Sequence, residues 1–236
     1  MKFDSLVKPP IIISMARPAH PKTPDPKPRA KPVQARGADT RDRLLKATVE
    51  LMWLDGYGSV TIDQICEKAS VLKGSFYRFF ESKLDVASAA LQWNWDARRL
   101  ELDRIFSASV PPLERLMAYF ANAVERQQRF HGEHGNVLGC FYFCMGSEVT
   151  KHNNLVARTV GEIVRQLCRY FESAIRDAAG EGLIKVKDPA AAASALFAYV
   201  EGCLTQARIR NDLDVVRQMG ENALRMIGVQ PVVGAA

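Results

Sequence analysis

Apolar residues recur at intervals of three and four along most of this chain, and no alternation of period two is long enough for a strand. This pattern predicts an all-α fold. Glycines, prolines and capping residues mark where the helices end. The predicted helices cover residues 40–55, 61–69, 73–80, 83–106, 112–130, 140–150, 154–179, 189–210 and 213–227, and the glycine-containing run 131–135 is expected to break the fifth.

Residues 60–84, VTIDQICEKASVLKGSFYRFFESKL, carry the most specific pattern. Thr61 is a good N-cap for a short helix with an apolar stripe, and the corner at residues 70–72 leads into a second short helix. That second helix carries three phenylalanines, too many for a solvated turn. A helix, a tight turn and a second helix is the geometry that places a helix N-terminus in the major groove of DNA.

The surrounding residues sharpen this pattern into a family resemblance. Upstream, an amphipathic helix ends at Gly56, which is suited to a left-handed terminator. Residues 39–91 resemble the N-terminal domain of TetR/AcrR-type transcription regulators over about fifty residues in register. The residues that carry the resemblance are Gly56, Tyr57, Thr61, Ile62, Ile65, Ala69, Val71, Lys73, Gly74, Ser75, Tyr77, Phe80, Ser82 and Lys83.

Four positions depart from the family pattern. Ser70 stands where the family usually has Gly, and Leu72 where it has Ser or Thr. Leu72 removes a hydroxyl that would cap the second helix and touch a phosphate, a loss of about 0.5–2 kcal/mol of helix stability. Phe79 replaces a frequent Tyr or His, and Cys66 a frequent Ala. These departures leave the fold intact but prevent the transfer of a relative's operator sequence.

The resemblance implies a homodimeric regulator, most often a repressor, that binds double-stranded operator DNA and responds to a small-molecule effector. Lys73, Gly74, Ser75 and Arg78 are expected to approach base edges or adjacent phosphates. Backbone contacts that position the duplex are expected from Arg41, Thr61, Tyr77 and Lys83. An adaptor of the same fold that no longer reads DNA remains an alternative.

The charge of the chain is concentrated at its beginning. The net charge is +6, and residues 1–36 alone hold eight Lys/Arg against two Asp, together with eight of the twelve prolines. Such a segment cannot bury enough apolar surface to fold alone. It is either a disordered leader or a basic arm that follows DNA phosphates. The predicted segments are a Pro-rich basic arm (1–36), a helix-turn-helix DNA-binding domain (37–97), a helical ligand-binding and dimerisation domain (98–229) and a tail (230–236).

The last two predicted helices have the composition of an oligomerisation surface. Small residues at 191, 195, 198 and 202 lie on one helix face and permit close approach of a second helix. The resemblance favours a four-helix interface between two subunits, with ordinary core packing as the alternative. A two-fold dimer meets two half-sites about 34–36 Å apart or a multiple of that. The apolar residues expected on the partner helix are Leu213, Val216, Met219, Ala223, Leu224 and Ile227.

An effector needs a cavity, and aromatic and apolar residues with a few polar groups form the usual lining. Gly139 to Glu148 resembles a Gly-Cys…Glu segment of a family branch that responds to electrophiles and small unsaturated acids. Cys140 is expected in a first helical turn, where the helix dipole favours thiolate; the alternative is a buried apolar cysteine. The candidate ligand-binding residues are Trp93, Phe106, Met117, Phe120, Cys140, Phe141, Cys144 and Glu148.

Other classes of function find little support. No phosphate loop, nucleophile elbow or carboxylate pair with a positioned histidine is present, so an enzyme is not expected. His131, His134, Cys140 and Cys144 fit no common zinc spacing, and neither a metal nor a cofactor is expected. The chain has no apolar run of membrane-spanning length and no signal sequence, so a cytoplasmic location without a membrane partner is expected. Five cysteines then indicate reduced thiols.

Overall fold

The computed structural model describes residues 33–148 and 155–229 of the chain. Within these ranges the chain forms helices and connecting turns, and no strand, so the all-α prediction is confirmed. The helices are α1 (Val33–Asp55), α2 (Ile62–Ala69), α3 (Lys73–Phe76), α4 (Lys83–Ile105), α5 (Pro112–His134), α6 (Phe141–Glu148), α7 (Leu155–Gly180), α8 (Pro189–Arg210) and α9 (Leu213–Met226).

Helix α1 begins earlier than its apolar pattern indicated. The sequence predicted a start at residue 40, but the helical backbone is already present at Val33. The first turns have no apolar stripe, so periodicity alone could not place them. Residues 1–32, which make up most of the predicted arm, and the predicted tail at 230–236 lie outside the described residues.

Helix α5 passes through the segment that was predicted to break it. It continues to His134 and ends at Gly135, which has φ 73°. Gly132 lies exposed within the helix, and a Cβ added to it would meet nothing within 4 Å. A glycine inside a helix weakens it by roughly 0.5–1 kcal/mol but does not end it. The prediction of a break at residue 131 was therefore wrong.

Helices α1 to α3 surround a small core that continues into α4. Leu45, Ile65 and Phe76 are fully buried, and Phe80 nearly so. The α4 helix is continuous from Lys83 to Ile105, so the predicted domain boundary between residues 97 and 98 falls inside one helix. A movement of α4 would consequently displace residues in both predicted domains.

The larger part of the protein packs α5, α7, α8 and α9 around an aromatic cluster. The ring of Phe106 at the end of α4 contacts the rings of Tyr119 on α5 and of Tyr170 and Phe171 on α7. Tyr119 and Phe171 meet edge to face, with centroids 4.8 Å apart. Phe106 is thus a core residue in this structure.

Helix α9 lies close against α5 because Gly220 has no side chain. A Cβ at this position would stand 2.8 Å from the Cβ of Phe120, closer than side chains approach one another. Four residues of α9 and its C-terminal cap that were expected at a dimer interface, Val216, Met219, Ala223 and Ile227, are instead buried inside the subunit. They belong to the core, as the alternative interpretation held.

The small-residue face of α8 has the opposite environment. Ala191, Ala195, Ala198 and Gly202 are all exposed in the single chain, and a Cβ at Gly202 would meet nothing within 4 Å. This face is therefore available for the close helix contact that small residues permit. None of the described helices is both long enough and apolar enough to span a membrane.

The close contact between α9 and α5 gives a stability prediction. Gly220→Ala should destabilise the protein by about 1–3 kcal/mol, because the new methyl group overlaps Phe120 in a packed core. Gly132→Ala is the matched control, since it adds the same methyl to an open helix position and should stabilise by roughly 0.5–1 kcal/mol. Urea unfolding of both variants measures the difference. Equal effects would show that α9 does not depend on this close approach.

Candidate functional site

The first helix of the predicted helix-turn-helix is capped at both ends. The Thr61 hydroxyl accepts a hydrogen bond from the backbone N–H of Gln64 at 3.2 Å, and the Gln64 side chain accepts one from the Thr61 N–H at 2.8 Å. At the other end, Ser70 has φ 52° and takes the left-handed conformation. That conformation explains the family preference for glycine here, since a side chain is strained in it.

The second helix begins without a side-chain cap. Leu72 occupies the N-cap position of α3, makes no capping hydrogen bond, and is 81% exposed. This confirms the predicted loss of the capping hydroxyl. The helix is held instead from its inner side, where Phe76 is fully buried and its ring meets the ring of Phe80.

The outer side of α3 presents the residues predicted to read DNA. Lys73, Gly74 and Arg78 are exposed, Tyr77 is 52% exposed, and Ser75 is partly buried. Lys73 makes an exposed ion pair of 2.7 Å with Asp63 on α2. A Cβ added to Gly74 would meet nothing within 4 Å, so the protein fold does not itself require a glycine there.

The residues predicted to hold the DNA backbone are in varied environments. Arg41 is exposed, and its guanidinium lies 5.6 Å from the centre of the Phe80 ring. Thr61 is exposed but committed to its capping interactions. Lys83 is turned inward, with Nζ 3.2 Å from the Gly58 carbonyl oxygen and 4.5 Å from the centre of the Tyr57 ring. Burial lowers the pKa of Lys83, and the Glu148 charge opposes this.

Glu148 connects α6 with the loop between α1 and α2. Its Oε2 accepts a hydrogen bond from the Gly58 N–H at 2.9 Å. Gly56 in the same loop has φ 85°, and a Cβ there would lie 2.6 Å from Oε1 of Glu148. Gly58 is therefore held on both sides, by Glu148 at its N–H and by Lys83 at its carbonyl. Glu148 lies at a junction between the two parts of the chain.

A cavity of about 250 Å³ lies among α1, α4, α5, α6, α7 and α8. The indole of Trp53, near the end of α1, forms part of its wall, so a helix of the DNA-binding domain directly borders the cavity. Its lining mixes apolar and charged side chains: Trp53, Asn94, Ala97, Arg98, Glu101, Tyr119, Arg126, Arg129, Phe130, Cys140, Phe141, Tyr142, Leu167, Glu201 and Leu204.

Several polar groups of the cavity are well buried. Arg98 is 9% exposed and forms an ion pair with Glu101 and a hydrogen bond of 2.6 Å to Asn122. Glu201 is 4% exposed, and burial raises its pKa to about 7. Burial also raises the pKa of Tyr119 to about 12. The charges of Arg98, Arg126 and Glu201 also act on the pKa of Tyr119, so ionisation of one group affects the others.

The candidate ligand-binding residues divide into four groups in the structure. Cys140 and Phe141 line the central cavity, and Cys144 and Glu148 line a groove between α6 and α8. Trp93 lines a separate groove beside α1. The other three pack elsewhere or face outward: Phe106 in the aromatic cluster, Phe120 against Gly220, and Met117 with 48% of its surface exposed.

Cys140 does not have the environment of a reactive thiolate. The sequence placed Cys140 in the first turn of α6, but the helix begins at Phe141, and Cys140 is the residue just before it. The Cys140 carbonyl oxygen accepts a hydrogen bond from the Cys144 N–H. Burial and the nearby Glu201 charge raise the pKa of the thiol well above its ordinary value of 9.0. A backbone hydrogen bond from Phe143 opposes this only in part. The prediction of a lowered pKa was wrong, because helix position was considered without burial.

A single arginine joins α8 to the end of α1. Arg208 Nη1 donates to the carbonyl oxygens of Trp53 and Leu138, both at 2.8 Å, and Nη2 to that of Leu54 at 3.4 Å. Nη1 also lies 3.2 Å from Cys144 Sγ. The Trp53 indole N–H donates to the same Leu138 carbonyl at 3.0 Å. The cavity wall and the end of α1 are thus tied to α8.

Several of these residues were missed by the sequence reasoning. Arg98, Arg126 and Glu201 lie on helices whose sequences have an ordinary amphipathic pattern. Arg208 lies near the end of α8, after a run of mostly apolar residues. A charged residue placed among the apolar positions of a helix was the available signal. The residues that meet in the cavity come from several helices, so only the structure identifies the site. Among the described residues, no cluster of three His, Cys, Asp or Glu side chains could hold a metal ion.

The helix-turn-helix and the cavity-containing helical domain together define a class of one-component DNA-binding regulators. Residues 44–90 match the family model described as bacterial regulatory proteins, tetR family. Residues 112–221 match the tetracyclin repressor-like C-terminal domain. The chain belongs to the TetR family of transcriptional regulators, as the resemblance implied.

Curated relatives are similar over most of the chain. Transcriptional regulator AcuR of Cereibacter sphaeroides is 32% identical over 196 residues, which cover 80% of this chain and 86% of AcuR. The repressor DhaR of Mycobacterium sp. is 28% identical over 181 residues, covering 75% of this chain and 87% of DhaR. The repressor NemR of Escherichia coli is 24% identical over 188 residues, 79% of this chain and 90% of NemR.

Solved structures share the fold. Regulatory protein TetR from Rhodobacter sphaeroides aligns with a TM-score of 0.72 and 26% identity, over 79% of this chain and 98% of its own. The reduced form of E. coli NemR aligns with a TM-score of 0.71 and 22% identity, over 82% of this chain and all of that chain. At this level of identity, the NemR structure supports the fold alone.

The open position of Gly74 gives a prediction for DNA binding. Gly74→Ala should leave the protein at least as stable, because alanine favours a helix by roughly 0.5–1 kcal/mol over glycine. It should weaken binding to DNA from upstream of the gene about tenfold or more, because the methyl enlarges the surface that enters the groove. Fluorescence anisotropy measures the affinity. Gly132→Ala, remote from α3, is the control, and equal DNA affinity of both variants would contradict the placement.

The environment of Cys140 gives a prediction for thiol reactivity. At pH 7 Cys140 should react with iodoacetamide more slowly than Cys168, whose pKa burial raises to a smaller extent. Glu201→Gln should accelerate Cys140, because it removes a charge that raises the thiol pKa. Mass spectrometry of each cysteine against pH measures the rates. If Cys140 were the most rapidly labelled thiol at pH 7, a stabilised thiolate would be present after all.

Proposed function

We propose that this protein is a homodimeric repressor that leaves its operator when a small molecule fills the cavity bordered by Trp53. The observation that carries this proposal is the position of Trp53 itself. It belongs to α1, the first helix of the DNA-binding domain, and lines the cavity of the larger domain. A ligand that displaces its indole acts directly on the helix against which α2 and α4 pack.

Two junctions would carry a change in the cavity to the DNA-binding domain. At the first, Arg208 holds the carbonyl groups at the end of α1 together with Leu138. At the second, Glu148 holds Gly58 in the loop that leads to α2. Cys140 and Phe141 line the cavity at the start of α6, and Glu148 is the last residue of that helix. A shift of α6 therefore changes the position of the loop.

The energetic requirement is a difference in ligand affinity between two states. A ligand shifts the dimer towards the state that it binds more tightly, by no more than that difference in binding free energy. In the proposed mechanism, α3 moves with α1 and α4. In the favoured state the distance between the two α3 helices of the dimer therefore no longer matches the distance between the operator half-sites. Typical coupling free energies of about 1–3 kcal/mol correspond to 5–150-fold changes in DNA affinity.

The exposed small-residue face of α8 supports the dimer in this proposal. Ala191, Ala195, Ala198 and Gly202 would allow two copies of α8 to approach closely, with the outer side of α9 at the edge. Two-fold symmetry then presents two α3 helices to two half-sites. Exposed polar and basic side chains on α3 and directly after it, Lys73, Tyr77 and Arg78, favour a DNA-reading protein over the adaptor alternative, which does not require such a surface.

Covalent sensing at Cys140 is a second candidate, favoured by one observation. The thiol lines the cavity and hydrogen-bonds with Glu201, a carboxyl group able to accept its proton. The relative NemR has been solved in a form described as reduced. The raised pKa of Cys140 nevertheless favours non-covalent binding at rest, and covalent capture would need a ligand that first enters the cavity.

The junction at Gly58 gives the test. Glu148→Ala should retain DNA binding and ligand binding but lower the effect of one on the other, because Glu148 holds the loop at Gly58 and does not line the central cavity. A compound selected by thermal shift from a small-molecule library serves as the probe. DNA affinity with and without saturating compound should differ by about 1–3 kcal/mol in the wild type, and by less than half of the measured value in the variant.

The control is Glu221→Ala, which removes an exposed carboxylate on α9 that pairs with Arg225 on the same helix. It should leave the coupling unchanged. By thermodynamic linkage, saturating DNA must lower the affinity for the compound by the same factor, which provides an independent measurement. Full coupling in Glu148→Ala would remove this junction from the mechanism, and failure to bind upstream DNA at all would favour the adaptor.

A further inference from the structure

The cavity contains three buried polar atoms that lack a hydrogen-bond partner among the described residues. They are Nη2 of Arg98, Nε of Arg126 and one carboxyl oxygen, Oε2, of Glu201. All three side chains line the same cavity. Buried polar atoms in native proteins are nearly always paired, so unpaired groups that surround one space indicate a missing partner there.

The charges around the cavity determine the sign of that partner. Arg98 is balanced by Glu101, with which it forms an ion pair. Arg126 has no ion-pair partner within the described ranges, and burial, followed by the nearby Arg98 charge, lowers the pKa of its guanidinium. When Glu201 is protonated, Glu101 is the partly buried carboxylate left beside both Arg98 and Arg126, and an anionic ligand supplies the missing charge. The site therefore favours a single negative charge.

The size and walls of the cavity limit the rest of the ligand. The volume of about 250 Å³ exceeds the roughly 150 Å³ of a cavity that holds benzene, so a small organic molecule fits. Phe141, Leu167 and Leu204 supply apolar surface in the same lining. Arginine nitrogens suit the planar geometry of a carboxylate, to which they donate charge-assisted hydrogen bonds. A small organic acid with an apolar tail fits these walls better than an inorganic anion.

We propose that the cavity binds a small monocarboxylate through Arg126 and Arg98, with Glu201 in its protonated form donating to the ligand, so that binding carries one proton into the cavity. The proposal rests on the function proposed above and names the chemical class of the effector. Glu201 must be neutral because two adjacent carboxylates repel each other in a buried site.

The environment of Glu201 supports this proton linkage. Its pKa is about 7, raised by burial and lowered in part by Cys140 and Arg126. Below pH 7 the carboxyl group is already protonated, so no proton is taken up on binding and the affinity for the acid does not change with pH through this group. Above pH 7 a proton must be taken up with the ligand, and the affinity falls about tenfold per pH unit. The titratable and charged groups that face Glu201 across the packed helices are Tyr119, Arg126, Cys140, Cys144 and Cys168.

Calorimetry on the full-length protein tests the proposal with acetate, propionate, butyrate and benzoate, each compared with its neutral amide. At least one of the acids should bind saturably at pH 6, and its amide should bind about 10- to 100-fold more weakly, because it lacks the charge-assisted hydrogen bonds. Arg126→Met should weaken the acid by a similar factor. Arg104→Met is the control, since that side chain is exposed on α4 and does not line the cavity.

A separate variant, Glu201→Gln, tests whether proton uptake by Glu201 causes the pH dependence of acid binding. Glu201→Gln should still bind the acid, because the amide donates a hydrogen bond, but the fall in affinity between pH 7 and pH 9 should disappear. Circular dichroism and the thermal midpoint establish that each variant is folded. Arg126→Met should also raise the midpoint of the ligand-free protein, because a desolvated charge without a partner is removed.

The outcomes separate this inference from the proposed function. Equal binding of acid and amide, no binding of any acid at millimolar concentration, or unchanged binding in folded Arg126→Met overturns the carboxylate site. If the acids bind as expected but leave DNA affinity unchanged, the carboxylate site stands and the effector-released repressor fails. If an uncharged compound releases DNA while no acid binds, the proposed function stands and this inference fails.

Discussion

The structure depends most on how the segment between α5 and α6 is held. Gln127 accepts hydrogen bonds from the backbone N–H groups of Leu138 and Gly139, and Asn211 holds Val137. The Leu138 carbonyl accepts from both Trp53 and Arg208. One short loop thereby unites α1, α5, α6 and α8. Buried backbone groups need partners, so none of these helices moves without breaking or replacing such a bond.

This constraint explains how a small cavity can affect a distant DNA-reading helix. Residues around the loop serve the cavity and the junction at once: Trp53 lines the cavity and bonds to Leu138, while Cys140 follows Gly139 in the wall. Packed interiors have discrete arrangements instead of deforming continuously. In the proposed mechanism, a ligand that fills the cavity selects between arrangements of the whole junction, and α1 and α4 carry the difference to α2 and α3.

The charged groups of the cavity are costly in the ligand-free protein, and the proposed binding site accounts for that cost. Arg126 carries a charge with a buried Nε and no ion-pair partner in the described ranges, and Glu201 is held near its titration point. Apolar residues of similar size would stabilise the subunit. Functional sites commonly retain such unfavourable groups because they become favourable when the ligand arrives. Membership of the TetR family does not by itself imply these charged groups. They follow from the particular side chains in the cavity of this chain.

The sequence by itself determined the fold class, most of the helices and the DNA-reading segment. Those depend on local signals: the apolar period, the Thr61 cap, and the corner that ends in Lys73-Gly74-Ser75. It could not determine the cavity, because Arg98, Arg126 and Glu201 come from three helices and meet only when α4, α5 and α8 pack. It also assigned Glu148 to a ligand and Cys140 to a reactive turn. The hydrogen bond of Glu148 to Gly58 and the burial of the Cys140 thiol were decided by tertiary structure, since both depend on neighbours that are distant along the chain.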